Sequence, residues 1–169
     1  QRHQQKQHVF LIILVLLHTM VCFNLKFHII FIINKYDVYY NNKFIGRSIN
    51  KRAFSDVFLS ANGINYLDYN SKRWDPDEAF INELTQTVYI IEKKIQSSSG
   101  SVDEKLATFH SKIYEYQKLL DPIGYDIVSY TCYQSEWFDS PKYQDYYDYM
   151  DKLNCPHYFD VLPLSAIGL

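Results

Sequence analysis

The chain has 169 residues, of which 47% are hydrophobic and 17% aromatic, and its formal net charge is −2. This composition excludes an intrinsically disordered protein and predicts a packed core, because disordered chains are poor in aromatic residues. The near-neutral charge argues against a nucleic-acid partner, which needs a concentrated basic surface. From Asp121 onward, eight acidic residues stand against two lysines, so the C-terminal third would repel a phosphate backbone.

The N-terminus is strongly hydrophobic. Residues 9–23 read VFLIILVLLHTMVCF, and a second apolar run, FHIIFII, occupies residues 27–33. With Arg2 and Lys6 ahead of it, this region is typical of a signal peptide, which would be cleaved between residues 19 and 34. Residues 9–33 are also long enough for a membrane anchor, and a buried core helix is the third interpretation. We therefore predict that residues 1–34 are a hydrophobic signal peptide or membrane anchor and that residues 35–169 form a single domain.

In the first part of that domain, short sequence patterns predict the secondary structure. Residues 37–47 contain two β-prone runs around Asn41-Asn42, which indicate either a small hairpin or an irregular lead-in, and we favour the lead-in. A short helix is predicted over residues 51–61, and Asn62-Gly63 ends it. The apolar face of this helix comprises Phe54, Val57 and Phe58.

The middle of the chain predicts two helices. Residues 75–78, DPDE, match a capped helix start, and a helix is expected from about 76 to 96. Its apolar stripe is Phe80, Leu84, Val88, Ile91 and Ile95. The small residues 97–101 form a turn, and a second helix is predicted from Ser101 to Leu120. Its apolar stripe comprises Val102, Leu106, Phe109, Ile113, Tyr116 and Leu120. We expect these two helices to pack as a central antiparallel hairpin.

The C-terminal part completes an expected all-α fold. Residues 123–134 fit a strand or a helix, and the helical neighbourhood favours a helix. Ser140-Pro141 begins a last helix that runs to about Asn154, and the apolar tail after it packs across the bundle or frays. The inward residues of that helix are predicted to be Tyr143, Tyr146, Tyr147, Met150 and Leu153. The whole is predicted to be a small helical bundle of four to five helices behind the N-terminal hydrophobic segment.

The three cysteines give information about the redox state of the cellular compartment in which the protein occurs. Cys22 lies in the hydrophobic segment, so its removal leaves the even pair Cys132 and Cys155. In an oxidising compartment these two would form a disulfide, and two reduced buried thiols are the alternative.

The sequence contains only weak motifs for metal binding or catalysis. Cys155 and His157, with Cys132 and Asp160, lack the second close ligand pair of a zinc site. The same cysteines are poor nucleophiles if they pair with each other. A Gly-rich phosphate loop and a nucleophile elbow are both absent from the sequence. We therefore predict no catalytic residue, no metal site, no cofactor and no enzyme activity.

Residues 143–151, YQDYYDYMD, are the most unusual stretch. The tyrosines either face the core at helical spacing or form a recognition surface, because tyrosine gives a large contact area at low entropic cost. The predicted protein-contact residues are Tyr143, Tyr146, Tyr147, Tyr149, Asp145 and Asp148.

The order Cys132, Tyr146-Tyr147, Cys155 resembles the cysteine–tyrosine–cysteine motif of the aphid BICYCLE proteins, which are secreted salivary effectors. The resemblance covers about 24 residues, and the family carries two such motifs whereas residues 36–131 hold no cysteine. It implies a signal peptide, a helical fold, no enzyme activity and a host protein as target.

The leading hypothesis is a secreted, non-enzymatic, effector-like domain that binds another protein through its acidic, tyrosine-rich C-terminal third. The alternative is a membrane-anchored accessory subunit of an organellar membrane complex, which would touch the membrane only through residues 9–33. A carrier of small apolar ligands between the helices is a third possibility.

Overall fold

The computed structural model describes residues 31–34, 36–96, 106 and 108–169. Within these residues the protein is a mixed α/β fold built on one seven-stranded sheet, and the expected all-α helical bundle is wrong. The strands are β1 (Phe31–Asn34), β2 (Asp37–Tyr40), β3 (Lys43–Ile49), β4 (Glu78–Asn82), β5 (Thr87–Lys94), β6 (Asp126–Tyr133) and β7 (His157–Phe159). The helices are α1 (Phe109–Leu120), α2 (Ser135–Phe138) and α3 (Gln144–Lys152), with a π-helical segment at Phe54–Leu59 and 3₁₀ turns at Tyr66–Asp68, Asp121–Ile123, Pro141–Tyr143 and Leu164–Ile167.

The strands lie in the sheet in the order in which they occur along the chain. Strands β1 to β5 pair antiparallel, whereas β6 pairs parallel to β5 and β7 pairs parallel to β6. Parallel neighbours need a long crossover connection, which is usually helical. The β5–β6 connection contains α1, and the β6–β7 connection contains α2 and α3.

The expected helix over residues 76–96 is a β-hairpin, β4–β5, so the central helical hairpin is wrong. Successive residues of β4 and β5 alternate between the two sheet faces: Ile81 and Ile90 join one buried cluster, and Phe80 joins the other. Two members of the expected helical stripe are largely exposed, Leu84 at 57% and Ile95 at 50%. A strand buried on both faces reads as a continuous apolar run, and a helical spacing can be picked out of such a run by chance.

The second predicted helix is confirmed over Phe109–Leu120 as α1. Its expected cap at Ser101 lies outside the described residues. Helix α1 packs on the sheet instead of on a partner helix, with Tyr116, Leu119 and Leu120 fully buried. They join the core cluster that includes Phe54 and residues of β3, β4 and β5.

Two further sequence predictions are corrected. Residues 37–47 form the hairpin β2–β3 instead of an irregular lead-in, and Asn41 and Asn42 both have positive φ, as its two-residue turn requires. The segment 123–134, favoured as a helix, contains strand β6. Its side chains are covered from both sides, by α1 on one face and by the C-terminal tail on the other.

Two other helical predictions are confirmed in outline. Residues 51–61 are helical around Phe54–Leu59, and Gly63 follows with a left-handed φ of 74°. The last helix is the 3₁₀ turn at Pro141–Tyr143 continued by α3, and Tyr147 and Met150 are buried as expected. Leu153, which was also expected to face inward, follows the end of α3 and is exposed.

The C-terminal tail covers the sheet face opposite α1. Leu162 and Ile167 are buried against Phe80 and Tyr89. The Tyr130 hydroxyl donates a hydrogen bond to the Ala166 carbonyl oxygen at 2.7 Å. The tail therefore forms part of a second core on this face.

The disulfide prediction is wrong, since Cys132 and Cys155 are free thiols. Consecutive residues of a strand point to opposite faces of the sheet. Tyr133 packs with Tyr147 of α3, so its neighbour Cys132 points the other way, toward the tail. Cys155 packs with Phe109 of α1, and the sheet separates the two sulfur atoms.

The predicted hydrophobic segment lies outside the described residues except at its end, where Phe31–Asn34 is strand β1. Within the described part of the chain, no helix is long and apolar enough to cross a membrane.

Candidate functional site

The structure divides the predicted contact residues into core and surface. Tyr143 and Tyr147 are buried, and the Tyr147 hydroxyl donates to the Phe138 carbonyl oxygen at 2.7 Å. Tyr146 is half-buried, and its hydroxyl donates to the Leu106 carbonyl oxygen at 3.0 Å. These three tyrosines hold α3 and α2 to the rest of the molecule.

Three of the predicted contact residues do lie on the surface. Tyr149 is 44% exposed, and Asp145 and Asp148 are exposed beside it on α3. The Tyr149 ring meets the His110 ring of α1 edge to face, with 6.0 Å between the ring centroids. This contact makes Tyr149 continuous with the outer face of α1.

The outer face of α1 carries two exposed aromatic side chains and a half-buried lysine. His110, Tyr114 and Lys118 are four residues apart and therefore share one side of the helix. Tyr114 is 68% exposed, and the Lys118 ammonium lies 5.3 Å from the centre of its ring. Lys118 also donates to the Tyr69 carbonyl oxygen at 3.0 Å, and Tyr69 is 38% exposed. We call this surface the α1 stripe: Tyr149, His110, Tyr114, Lys118 and Tyr69.

The elements beneath the α1 stripe are firmly held. The inner side of α1 is fully buried against the sheet at Tyr116 and Leu119. The loop that carries Tyr69 is joined to α1 by the Asn70 side-chain amide, which donates to the Glu115 carbonyl oxygen at 3.0 Å. A surface on fixed elements loses little conformational entropy on binding.

Leu67 flanks the Tyr69 end of the stripe, and the half-buried Trp74 packs beside Lys112 of α1. Leu67 is 69% exposed in the 3₁₀ turn just before Tyr69. The Trp74 ring has the Lys72 ammonium 4.1 Å from its centre and the Lys112 ammonium at 5.4 Å. Aromatic rings with adjacent lysines are common in recognition surfaces, because they combine apolar area with charge.

A buried ion-pair cluster lies beneath α1. The Glu92 carboxylate of β5 accepts from Lys94 at 3.1 Å and from Lys112 of α1 at 3.2 Å. Burial, and then the nearby charge of Glu92, raises the pKa of Tyr116. Both lysines are engaged by the carboxylate, so this cluster joins α1 to the sheet and leaves no free amine for catalysis.

The surroundings of Cys132, Cys155 and His157 disfavour both nucleophilic catalysis and metal binding by these residues. Burial raises the pKa of Cys132 to about 12 and that of Cys155 to about 11, so both are protonated thiols at neutral pH. The His157 ring stacks on Tyr147 with 4.1 Å between centroids, and burial lowers its pKa. A protonated thiol is a poor nucleophile and a poor metal ligand.

Other kinds of site were sought over the same residues. Across the described part of the chain, no group of three or more His, Cys, Asp or Glu side chains is placed to hold a metal ion. An open depression of about 510 Å³ lies beside the segment Phe54–Leu59. Its charged groups are tied together, because Arg73 binds Asp56 and Asp75 at 3.0 Å each. These three charged groups are therefore bound to one another and are not free to bind a ligand in the depression.

The sequence predictions missed four of the five members of the α1 stripe. The apolar stripe predicted for this helix includes Phe109, Ile113 and Tyr116, which places His110 and Tyr114 on the opposite side. The position of Tyr114 opposite the apolar stripe indicated, from the sequence alone, that this tyrosine is exposed. The position of Tyr69 beside α1 depends on a contact between segments far apart in the chain. The pattern of neighbouring residues does not predict such a contact.

The chain was compared with protein families, curated proteins and solved structures, and no family model, curated protein or solved structure matches it.

Proposed function

We propose that this protein is a non-enzymatic recognition domain that binds another protein through the α1 stripe. The observation that carries the proposal is the group of exposed aromatic side chains on the outer face of α1, namely Tyr114 and the His110 ring that contacts Tyr149. Delivery through a secretory pathway remains a prediction from residues 9–33, and the unpaired cysteines lend it no support.

The exposure of these rings is the first support. A tyrosine that serves only the core is buried, as Tyr143 and Tyr147 are here. Tyr114, by contrast, has most of its surface in water, and its main contact is with the flexible Lys118 side chain. Exposed rings grouped on one face are characteristic of interaction sites, whereas single exposed apolar residues are ordinary.

The chemical character of the stripe is the second support. Tyrosine and tryptophan dominate the residues that contribute most to protein–protein binding, because a rigid ring buries a large area and its polar edge hydrogen-bonds. The α1 stripe supplies three tyrosines, a histidine and a lysine. An extended surface of this kind suits a protein face better than a small ligand, which needs a concave pocket.

A photo-crosslinking amino acid at position 114 tests the proposal in the cells or fluid in which the protein occurs. We expect a discrete protein adduct from position 114. The matched control is position 161, where Val161 is 43% exposed on the tail that covers the other sheet face. Absence of an adduct at 114, or the same adducts from both positions, would contradict the proposal.

A variant tests the energetics of the same surface. Tyr114→Ser should leave the free energy of unfolding within about 0.5 kcal/mol of wild type, since the side chain is exposed. It should weaken binding of the crosslinked partner at least about tenfold, as expected for a central interface tyrosine. Tyr149→Ser should have a smaller effect, because Tyr149 lies at the end of the stripe.

A further inference from the structure

The sheet face beneath α1 carries several buried polar side chains. Glu92 of β5 and Ser129 and Thr131 of β6 are each 2% exposed. Tyr116, which reaches this face from α1, is fully buried. Each of these four residues has a side-chain oxygen atom that makes no hydrogen bond within the described part of the chain. A buried polar atom without a partner costs free energy, so these four atoms together need an explanation.

The register of the parallel strands brings three of these side chains together. Glu92 is the registered partner of Thr131, and Ile90 is the registered partner of Ser129. Neighbouring strands lie about 5 Å apart, and registered residues of a parallel pair point to the same face. Ser129 and Thr131 are two residues apart on β6, so they share this face as well. The Glu92 side chain therefore has both hydroxyl groups as neighbours on β6.

Helix α1 covers the same place and adds the fourth group. Lys112 of α1 donates to the Glu92 Oε2 atom at 3.2 Å. Tyr116 is four residues after Lys112, so both side chains lie on one side of the helix. The negative charge of Glu92 contributes to the raised pKa of Tyr116, which agrees with the proximity of the two groups. The Tyr116 hydroxyl therefore approaches the carboxylate from the helix side.

The two oxygen atoms of the Glu92 carboxylate differ in their surroundings. Oε2 accepts from Lys94 at 3.1 Å and from Lys112 at 3.2 Å, so the charge of the carboxylate is balanced. Oε1 accepts from no group among the described residues, although hydroxyl groups are its neighbours. Polar groups that face each other beyond hydrogen-bonding distance are commonly bridged by a water molecule.

Water suits the chemistry of this place better than an ion does. A buried water molecule typically makes about three hydrogen bonds to polar groups, and it can both donate and accept. It can therefore donate to Oε1 and accept from a hydroxyl group at the same time. An anion would be repelled by the Glu92 carboxylate, and a cation would meet a carboxylate whose charge two lysines already balance.

We infer that an ordered water molecule is bound beneath α1, where it donates to the Glu92 Oε1 atom and bridges it to the hydroxyl groups of Thr131 and Tyr116. Ser129 supplies the next hydroxyl group along β6. The water joins the crossover helix to both parallel strands, since its partners come from β5, β6 and α1. This site is separate from the α1 stripe, which lies on the other side of the same helix.

Oxygen-17 relaxation dispersion of the solvent tests the inference, because its amplitude reports the number of long-lived internal water molecules. Hydroxyl groups exchange protons but not oxygen with the solvent, so they do not contribute to this amplitude. Thr131→Val replaces the hydroxyl by a methyl group of similar size and should reduce the amplitude by about one water molecule. Tyr116→Phe, which removes only the phenolic oxygen, should reduce the amplitude as well.

Thr87→Val makes the same chemical change at another position on β5 and serves as the control. The Thr87 hydroxyl already hydrogen-bonds with Thr85, so this variant should keep the wild-type amplitude. Circular dichroism of each variant establishes that it is folded before amplitudes are compared. If Thr131→Val does not fold, Tyr116→Phe provides the same comparison with the wild type.

A high-resolution crystal structure of the wild-type protein locates the water. Electron density for a water molecule within hydrogen-bonding distance of Glu92 Oε1 and Thr131 Oγ1 supports the inference. Direct hydrogen bonds from the hydroxyl groups to Oε1, with no water between them, overturn it. Equal dispersion amplitudes in the wild type and in the folded variants at positions 131 and 116 overturn it too. None of these results alters the proposed function, which is tested separately at Tyr114.

Discussion

Gly46 of β3 lies opposite Asn82 of β4, close to the β4 backbone. A Cβ atom at this position would stand 2.0 Å from the Ile81 carbonyl oxygen, far inside van der Waals contact. The nearby register shift between β2 and β3 brings one extra residue into β3 at this point, as in a β-bulge. A glycine is therefore required here for steric reasons, and its φ is not positive.

Gly46→Ala should lower the free energy of unfolding by more than about 3 kcal/mol or prevent folding, because backbone must move to admit the methyl group. The control is Gly124→Ala, where φ is 72° and nothing lies within 4 Å of the added atom. That change should cost only about 1–2 kcal/mol, the cost of a left-handed conformation. Urea denaturation followed by circular dichroism compares the two, and equal losses would contradict the steric explanation.

His157 predicts a pH dependence of stability. Burial lowers its pKa in the folded protein, so the unfolded chain binds this proton more strongly. The free energy of unfolding should therefore fall as pH falls below about 6.5, and the contribution is absent above that pH. His157→Phe keeps the ring that stacks on Tyr147 and should reduce the loss of stability between about pH 7.5 and pH 5.5. A variant with the full wild-type pH dependence would contradict this prediction.

At the scale of elements, α1 joins the two parts of the sheet. It connects β5 to β6, packs on the core cluster of the antiparallel strands, and is tied to β5 by Lys112 and Glu92. Its outer face is then free to carry the stripe. The same helix therefore supplies both the closure of the core and the candidate binding surface.

Glu92→Gln should lower the free energy of unfolding by about 2 kcal/mol, because it removes the charge that balances Lys94 and Lys112. The loss should be smaller than for a fully buried pair, since both lysine side chains retain about a fifth of their exposure. Glu136→Gln, an exposed change of the same kind, should stay within about 0.5 kcal/mol of wild type. Thermal or urea unfolding measures both, and equal small effects would show that the pairs contribute nothing.

At the scale of the whole molecule, the sheet separates two cores. One lies under α1 and the segment Phe54–Leu59, and the other lies under the C-terminal tail. Cys132 packs against the core under the C-terminal tail, whereas Cys155 belongs to a separate small cluster with Phe109 of α1 and Met150 of α3. Redox state should therefore have little influence on the fold.

Intact-mass analysis tests this arrangement. After denaturation without a reductant, both Cys132 and Cys155 should be alkylated, because neither is bridged. In the native protein at pH 8 the same reaction should be slow, since the raised pKa values keep both thiols protonated. A denatured chain that resists alkylation until it is reduced would show a disulfide and contradict the structure.

The hydrophobic pattern of the sequence predicted an element correctly where one side of that element is exposed to solvent. Helices α1 and α3 alternate buried and exposed residues with a helical period, and both were located from that period. The strands β4, β5 and β6 are covered on both sides, so their apolar residues showed no alternation. Cys132 and Cys155 were predicted to form a disulfide because they are an even pair in an oxidising compartment, and the sequence does not show which side of the sheet each thiol occupies.

The sequence by itself determined the packed, aromatic core, the two helices with a solvent-exposed side, and the left-handed end at Gly63, because these depend on composition and on neighbours within a few residues. Tertiary structure alone decided that residues 78–82, 87–94 and 126–133 are strands, since β5 and β6 stabilise each other by hydrogen bonds between segments far apart in the chain. It also decided which tyrosines are exposed. Tyr143 and Tyr147 became core because α3 packs on β6, and Tyr114 stayed on the surface because the sheet covers only the other side of α1.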